Sequence, residues 1–165
     1  MIIKVLRLLI EPLSAKHNRS HFDCGVEDLN RFLKAYAFQN QKRHFVRTYV
    51  CCRGAEVIGY YSLAFGQVKQ EDAPETLSRG MGKYPVPAII LGRLAIDKKE
   101  QAKGLGVALL KNAILRAKQA EQIAGLRIII VHAKDSHARD FYLKYGFIAS
   151  PGDALTLFFP IEFEV

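Results

Sequence analysis

The chain of 165 residues is 50% hydrophobic and 24% charged, enough for one well-formed core and too short for two ordinary domains. Residues 1–165 are therefore expected to form a single domain. Its 24 Lys plus Arg against 16 Asp plus Glu give a formal net charge of +8, which favours a polyanionic partner or an acidic surface. Cys24 and the adjacent pair Cys51 and Cys52 lack the spaced Cys/His partners of a zinc site and imply no disulfide framework, so no metal and a reducing, cytoplasmic setting are expected.

Met1 to Ile10 is apolar but interrupted by Lys4 and Arg7, too short to span a membrane and a poor signal peptide; it reads as a first strand that Pro12 ends. From Val26, the residues Val26, Leu29, Leu33, Tyr36 and Ala37 recur at helical spacing and predict an amphipathic helix. Thr48 to Cys52 and Val57 to Val68 are β-rich runs separated by the turn-like Arg53-Gly54-Ala55-Glu56, and should pair as an antiparallel hairpin. Lys69 to Pro87, with three prolines and two glycines, reads as an excursion from the sheet whose re-entry Pro85 and Pro87 flank.

The second half predicts a β-α-β unit. Ala88 to Ile96 is an apolar strand, and Gly104 to Glu121 a long helix with Leu105, Ala108, Leu109, Ala113 and Leu115 to Ala117 on its apolar face. Leu126 to Ala133 is a second strand, apolar throughout as parallel strands covered on both faces are. A shorter helix follows from about Ser136 to Lys144, with Asp135 or Ser136 as its cap and Gly146 as its stop. Strands are expected at Phe147 to Ala149 and Thr156 to Phe163, the latter an apolar edge that a partner could cover.

Chemistry concentrates where the strand Ala88 to Ile96 hands over to its helix, at Gln101-Ala102-Lys103-Gly104-Leu105-Gly106-Val107. Glycine lets backbone approach an anion, the first helical N–H groups lack intrahelical partners, and the helix dipole favours negative charge there, with Lys103 as a countercharge. A two-glycine turn alone also suits a plain strand-to-helix connection. With Leu at position 109, the full dinucleotide fingerprint is absent.

About forty residues further on stands Ala138-Arg139-Asp140-Phe141-Tyr142-Leu143-Lys144-Tyr145-Gly146-Phe147. Together the two segments resemble the GNAT superfamily of N-acetyltransferases. The first matches its Arg/Gln-x-x-Gly-x-Gly/Ala pyrophosphate motif at Gln101, Gly104 and Gly106, and the second its Ala-x-x-Phe-Tyr-x-x-x-Gly-Phe helix. The resemblance implies an α/β fold of the α+β type, with a mixed central sheet of about six to seven strands, a splayed central β-α-β cofactor unit and about four helices. It implies acetyl-CoA as cofactor, with the pantetheine arm along the backbone of Leu94, Ala95 and Ile96 and the pyrophosphate at residues 101–107. It also implies direct attack of an amine on the thioester and a proton from Tyr142 to the leaving thiolate; Tyr145, off the motif position, is a weaker candidate. Many relatives carry Asn where this chain has Asp135, which leaves Asp135 as a helix cap.

Further segments extend the resemblance to the GNAT toxins of type II toxin-antitoxin modules: Glu11 to Ser14, Phe22 to Leu33, Val57 to Ala64, Pro87 to Asp97 and Val131 to Ala133. This implies acetylation of the amino group of aminoacyl-tRNA and a block of translation. It also implies a homodimer and a ribbon-helix-helix antitoxin through which alone operator DNA would be bound. An α-amino group is about a tenth neutral at pH 7 against about 0.04% for a lysine, so such a substrate needs no strong base. Glu71, Asp72 and Asp97 remain open as bases, with a water relay as another route, while His132, in a buried-type strand, and His137, beside a helix start, rank as structural. Lys34, Lys42, Arg43, Arg47, Arg79, Lys83 and Arg93 are the candidate tRNA contacts. The alternatives are a GNAT enzyme acting on a small amine or a protein amine, and a CoA-binding module without turnover.

Overall fold

The computed structural model describes residues 9–161. Most of the strand expected at residues 1–10 lies outside them, and its described part is β1 (Ile10–Pro12). β1 pairs antiparallel with β2 (Arg47–Arg53), which forms the expected hairpin with β3 (Glu56–Val68). Gly54, at φ 59°, takes the left-handed backbone this tight turn needs. The register slips between Cys51 and Cys52, and burial pushes both thiols up to about 11, so neither is a thiolate at neutral pH.

The remaining strands are β4 (Val86–Ile96), β5 (Ile128–His132), β6 (Ile148–Ala149) and β7 (Thr156–Pro160), in a seven-stranded sheet of order β1-β2-β3-β4-β5-β7-β6. β4 and β5 pair in parallel over Ala88–Leu91, as the β-α-β reading requires, and the other strand pairs described are antiparallel. β7 is not an edge: β5 lies on one side of it and β6 on the other, leaving the two-residue β6 as the outermost strand. The end of its expected span, residues 162 and 163, lies outside the described residues.

The chain divides into two compact units, Met1–Ala64 with Gly92–Ala113 and Phe65–Leu91 with Ile114–Val165. In the first, the predicted amphipathic helix is continuous but not uniform: α1 (Glu27–Arg31) passes through a π turn (Phe32–Tyr36) into α2 (Ala37–Lys42). A π turn takes in one residue more than an α turn, so side chains beyond it lag by about 100°. Phe32, Leu33 and Ala37 stay buried, but Tyr36, expected on the apolar face, is swung out to 52% exposure. The core beneath holds Leu13, Phe22, Leu33, Val50, Val57 and Tyr60, with the Tyr60 hydroxyl donating to the Leu29 carbonyl at 2.7 Å. Each of these fully buried aliphatic side chains contributes about 1.5–3 kcal/mol.

The long helix is α4 (Leu105–Glu121), α3 being the single turn Glu75–Ser78. Leu105 and Leu109 pack beside Gly59 of β3, where an added Cβ would lie 3.0 Å from Leu109. The buried stripe of α4 is Leu105, Leu109, Leu110, Ala113 and Ala117; Leu115, expected on the apolar face, stands 53% exposed because two residues beyond Ala113 is the opposite side of a helix.

In the second unit Val86, Ala88, Ile128, Ile130 and Phe158 form the core with Leu77 of the excursion. The ends of that excursion are tied by the Gln70 side-chain amide, which donates to the carbonyls of Gly82 (2.5 Å) and Tyr84 (2.7 Å). Pro87 lies inside β4 rather than before it, and its carbonyl accepts from the Arg127 N–H. The last helix, α5 (Ser136–Lys144), has the expected limits: Asp135 accepts from the Ala138 N–H at 2.8 Å, and Gly146 at φ 97° ends it.

Candidate active site

The turn between β4 and α4 is built by hydrogen bonds that all lie within the first unit. Asp97 caps a short 3₁₀ turn (Lys98–Glu100) by accepting from the Lys99 N–H, and its other oxygen accepts from the Asp23 N–H at 3.1 Å. The Asp97 carboxylate, left open as a base by its residue type, is thus committed to backbone donors. Gln101, the first motif residue, turns its amide onto the carbonyls of Ile96 (2.9 Å) and Cys24 (3.1 Å). Its side chain therefore braces the turn, which the motif alone could not distinguish from a cofactor contact. Glu100 is held below the usual carboxylate range by a two-pronged bond from Arg53, at 2.6 and 2.9 Å, and lies 3.6 Å from the Lys103 ammonium.

Ala102 and Gly104 both hold positive φ, at 62° and 85°, and so make the turn concave. A Cβ added at Gly104 would meet nothing within 4 Å, and the Gly104 carbonyl already accepts the Ala108 N–H of the first turn of α4. Open space over a concave backbone at the start of a 17-residue helix suits the pyrophosphate of acetyl-CoA, with Lys103 next to it in the chain. Leu94 and Ile96 of β4 are half-buried, while Ala95 is 5% exposed and belongs to the core.

Tyr142 lies in the second unit, on α5, and is 7% exposed. Phe141 and Phe147 each approach its ring at a centroid distance of 5.2 Å, and burial pushes its phenol well above the ordinary value. Its proton is held through the neutral range. Tyr145 packs on Phe141 and ends the helix as its C-cap. His132 is exposed, contrary to its reading as a residue of a buried strand: as the last residue of β5 its Nδ1 lies 3.1 Å from the Thr156 hydroxyl. His137 is an exposed residue of the first turn of α5.

Five of the candidate tRNA contacts, Lys34, Lys42, Arg43, Arg47 and Arg93, fall in the first unit, and Arg79 and Lys83 in the second. Lys34 lines an open cleft with His17, Asn18, Arg19 and Ser20. The Arg19 guanidinium, held by the Leu33 carbonyl at 3.2 Å, lies over one ring, Phe38, which the Lys42 ammonium also approaches at 4.8 Å. Lys34 and Arg19 thus share the cleft, and Arg19 and Lys42 share the Phe38 ring, as a strip of cations. Arg19 was not among the sequence candidates, since no local motif marks it and only the fold brings it beside α2. Arg93 is half-buried, its guanidinium 3.6 Å from the Phe32 ring centroid.

Residues 44–149 match the acetyltransferase (GNAT) domain. The chain is 45% identical over 136 residues, 82% of its length and 81% of the relative's, to a tRNA-acetylating toxin of Mycobacterium tuberculosis (strain ATCC 25618 / H37Rv). Among solved structures it is similar to AtaT complexed with acetyl-methionyl-tRNAfMet (TM-score 0.87, 32% identity, 93% of this chain and 94% of that one). It is likewise similar to a mutant AtaT toxin bound to the C-terminus of the antitoxin AtaR and acetyl-CoA (TM-score 0.79, 32% identity, 93% and 92% covered). The chain belongs to the GNAT acetyltransferase family. It is an N-acetyltransferase, and acetyl-CoA is the donor that this family uses. Among the described residues, no helix is long and apolar enough to cross a membrane.

Proposed function

We propose that this enzyme is a toxin that acetylates the α-amino group of aminoacyl-tRNA and so blocks translation. The observation that carries the reading is the similarity to the mycobacterial tRNA-acetylating toxin over about four-fifths of both chains. The net charge of +8 and the strip formed by Lys34, Arg19 and Lys42 support it, because a tRNA is bound largely through phosphates. In this reading the backbone of Leu94, Ala95 and Ile96 offers hydrogen bonds to the pantetheine arm. The concave turn at residues 101–107 holds the pyrophosphate, with Lys103 as countercharge, and Gln101 keeps that turn in shape. Bound acetyl-CoA supplies an acetyl group on a thioester. Tyr142 holds a proton on its phenol for the sulfur that leaves, and its burial among Phe141 and Phe147 keeps water from competing for that proton. The α-amino group sheds one proton to solvent near neutral pH and needs no strong base, which fits an Asp97 already committed to backbone donors. The second nitrogen proton, released as the C–N bond forms and the C–S bond breaks, passes through water to the Tyr142 oxygen and restores the phenol.

The same reading takes residues 1–165 as one acetyltransferase domain that acts in the cytoplasm as a homodimer. A ribbon-helix-helix antitoxin would inhibit it and bring it to operator DNA. The remaining candidate contacts, Arg43, Arg47, Arg79, Lys83 and Arg93, would meet further tRNA phosphates.

Purified protein, labelled acetyl-CoA and total tRNA, either charged or stripped of amino acids, test the proposal. Label on charged tRNA alone is expected; label on free amines or proteins but on no tRNA would make the enzyme a small-amine or protein acetyltransferase. A pH profile tests Tyr142 separately. Initial rates of turnover should rise from about pH 6 to about pH 9 as the α-amino group, with a pKa of about 7.7–8.0, deprotonates, and then level off. The sign follows from the phenol: burial raises its pKa, so its proton-bearing form persists to higher pH than in an exposed tyrosine, which ionises near 10. A fall in turnover between about pH 8 and pH 9 would remove Tyr142 as the donor.

A further inference from the structure

Among the described residues, two other than glycine hold positive φ: Ala102, in the cofactor turn, and His44, at 63°. That backbone is uncommon for a residue with a Cβ, and at His44 it turns the chain sharply out of α2. The turn is held by two bonds, from the His44 N–H to the Gln41 carbonyl (3.1 Å) and from the Phe45 N–H to the Asn40 carbonyl (3.0 Å). Its product is a phenylalanine that is 65% exposed on a backbone anchored to the end of α2. A large apolar ring so displayed is not contributing to a core.

The charge around it selects the partner. No Asp or Glu occurs between Asp28 and Glu56, whereas Arg31, Lys34, Lys42, Arg43, Arg47 and Arg53 do. Lys42, Arg43 and Arg47 are all exposed and lie within three residues of Phe45. Lys42 also belongs to the cationic strip that runs through Arg19 to the cleft at Lys34. An exposed ring among cations matches single-stranded nucleic acid, whose bases stack on aromatic faces while its phosphates meet Lys and Arg. We infer that Phe45 is a stacking platform for an unpaired nucleotide of the RNA substrate, with Lys42, Arg43 and Arg47 meeting the phosphates that flank it. The inference rests on the tRNA reading above, and an aminoacyl-tRNA carries its amino acid on an unpaired end.

Steady-state acetylation of charged tRNA by the full chain and its variants Phe45→Ala, Phe45→Leu and Phe45→Trp tests it, over a range of salt concentrations. Phe45→Ala should raise KM for tRNA about ten-fold, within the range set by loss of one stacked base, with kcat and KM for acetyl-CoA unchanged. The steepness of KM against salt should stay as in wild type, since the ring carries no charge, whereas Lys42→Ala should lessen it. Phe45→Trp should restore KM and Phe45→Leu should not. Restoration by Leu would make the contact merely hydrophobic and overturn the platform. So would an unchanged KM in Phe45→Ala, including the case in which that variant instead loses binding of a protein partner. If the wild type labels no tRNA, the functional reading falls and the platform with it; if it labels tRNA and Phe45→Ala is silent, only the platform falls.

Discussion

Tyr142→Phe is expected to lower turnover about 100-fold or more while leaving the fold and the affinity for acetyl-CoA in place, with the loss amounting to roughly 2.7 kcal/mol of transition-state stabilisation. The substitution removes one oxygen and keeps the ring, so the contacts with Phe141 and Phe147 survive and the buried volume hardly changes. Single-turnover transfer measured beside calorimetric titration of acetyl-CoA separates the two quantities. Wild-type turnover in the variant would end the assignment and direct attention to Tyr145, which packs on the same Phe141.

Gly104→Ala should weaken acetyl-CoA binding at least ten-fold. Within the protein the new methyl group meets nothing within 4 Å, so its only internal cost is the left-handed backbone at φ 85°, about 1–2 kcal/mol of stability. Gly80 is a matched control, at φ 80° with nothing within 4 Å of an added Cβ, but in the excursion of the second unit. Gly80→Ala should lower the melting temperature to a similar degree and leave the affinity for acetyl-CoA unchanged. Equal affinity in both variants would mean that the pyrophosphate does not approach Gly104.

What could be read from the sequence was whatever local chemistry decides. α5 runs from Ser136 to Lys144 as read, because an Asp cap and a following glycine act within a few residues of the ends they set. The hairpin, the β-α-β unit and the glycine turn were legible for the same reason. The differences from the sequence reading concern side-chain phase within a helix and the order of strands. Tyr36 and Leu115 are apolar residues whose exposure depends on the turn of their helix and on which face the sheet covers. β7 could not be told from an edge strand, because composition does not say that β6 would add itself outside it. At the site, residue type marked Gln101 and Asp97 but not their bonds: one braces the turn through the carbonyls of Ile96 and Cys24, the other caps it. Arg19 had no signal at all, being separated from Phe38 and Lys42 in sequence and joined to them only by the fold.

The π turn at Phe32–Tyr36 makes the chain's phase depend on a single residue. The wide turn sets the angle at which α2 leaves, and the Gln41 side chain then reaches both the Leu13 carbonyl (2.6 Å) and the Thr48 N–H (3.0 Å). Loss of one residue between Phe32 and Tyr36 would let the segment relax into an ordinary α-helix and rotate everything after it by about 100°. Gln41 would then point away from both partners, and Phe38 and Lys42, turning together, would leave Arg19. A helix that tolerates many changes of side chain would therefore not tolerate a change of length.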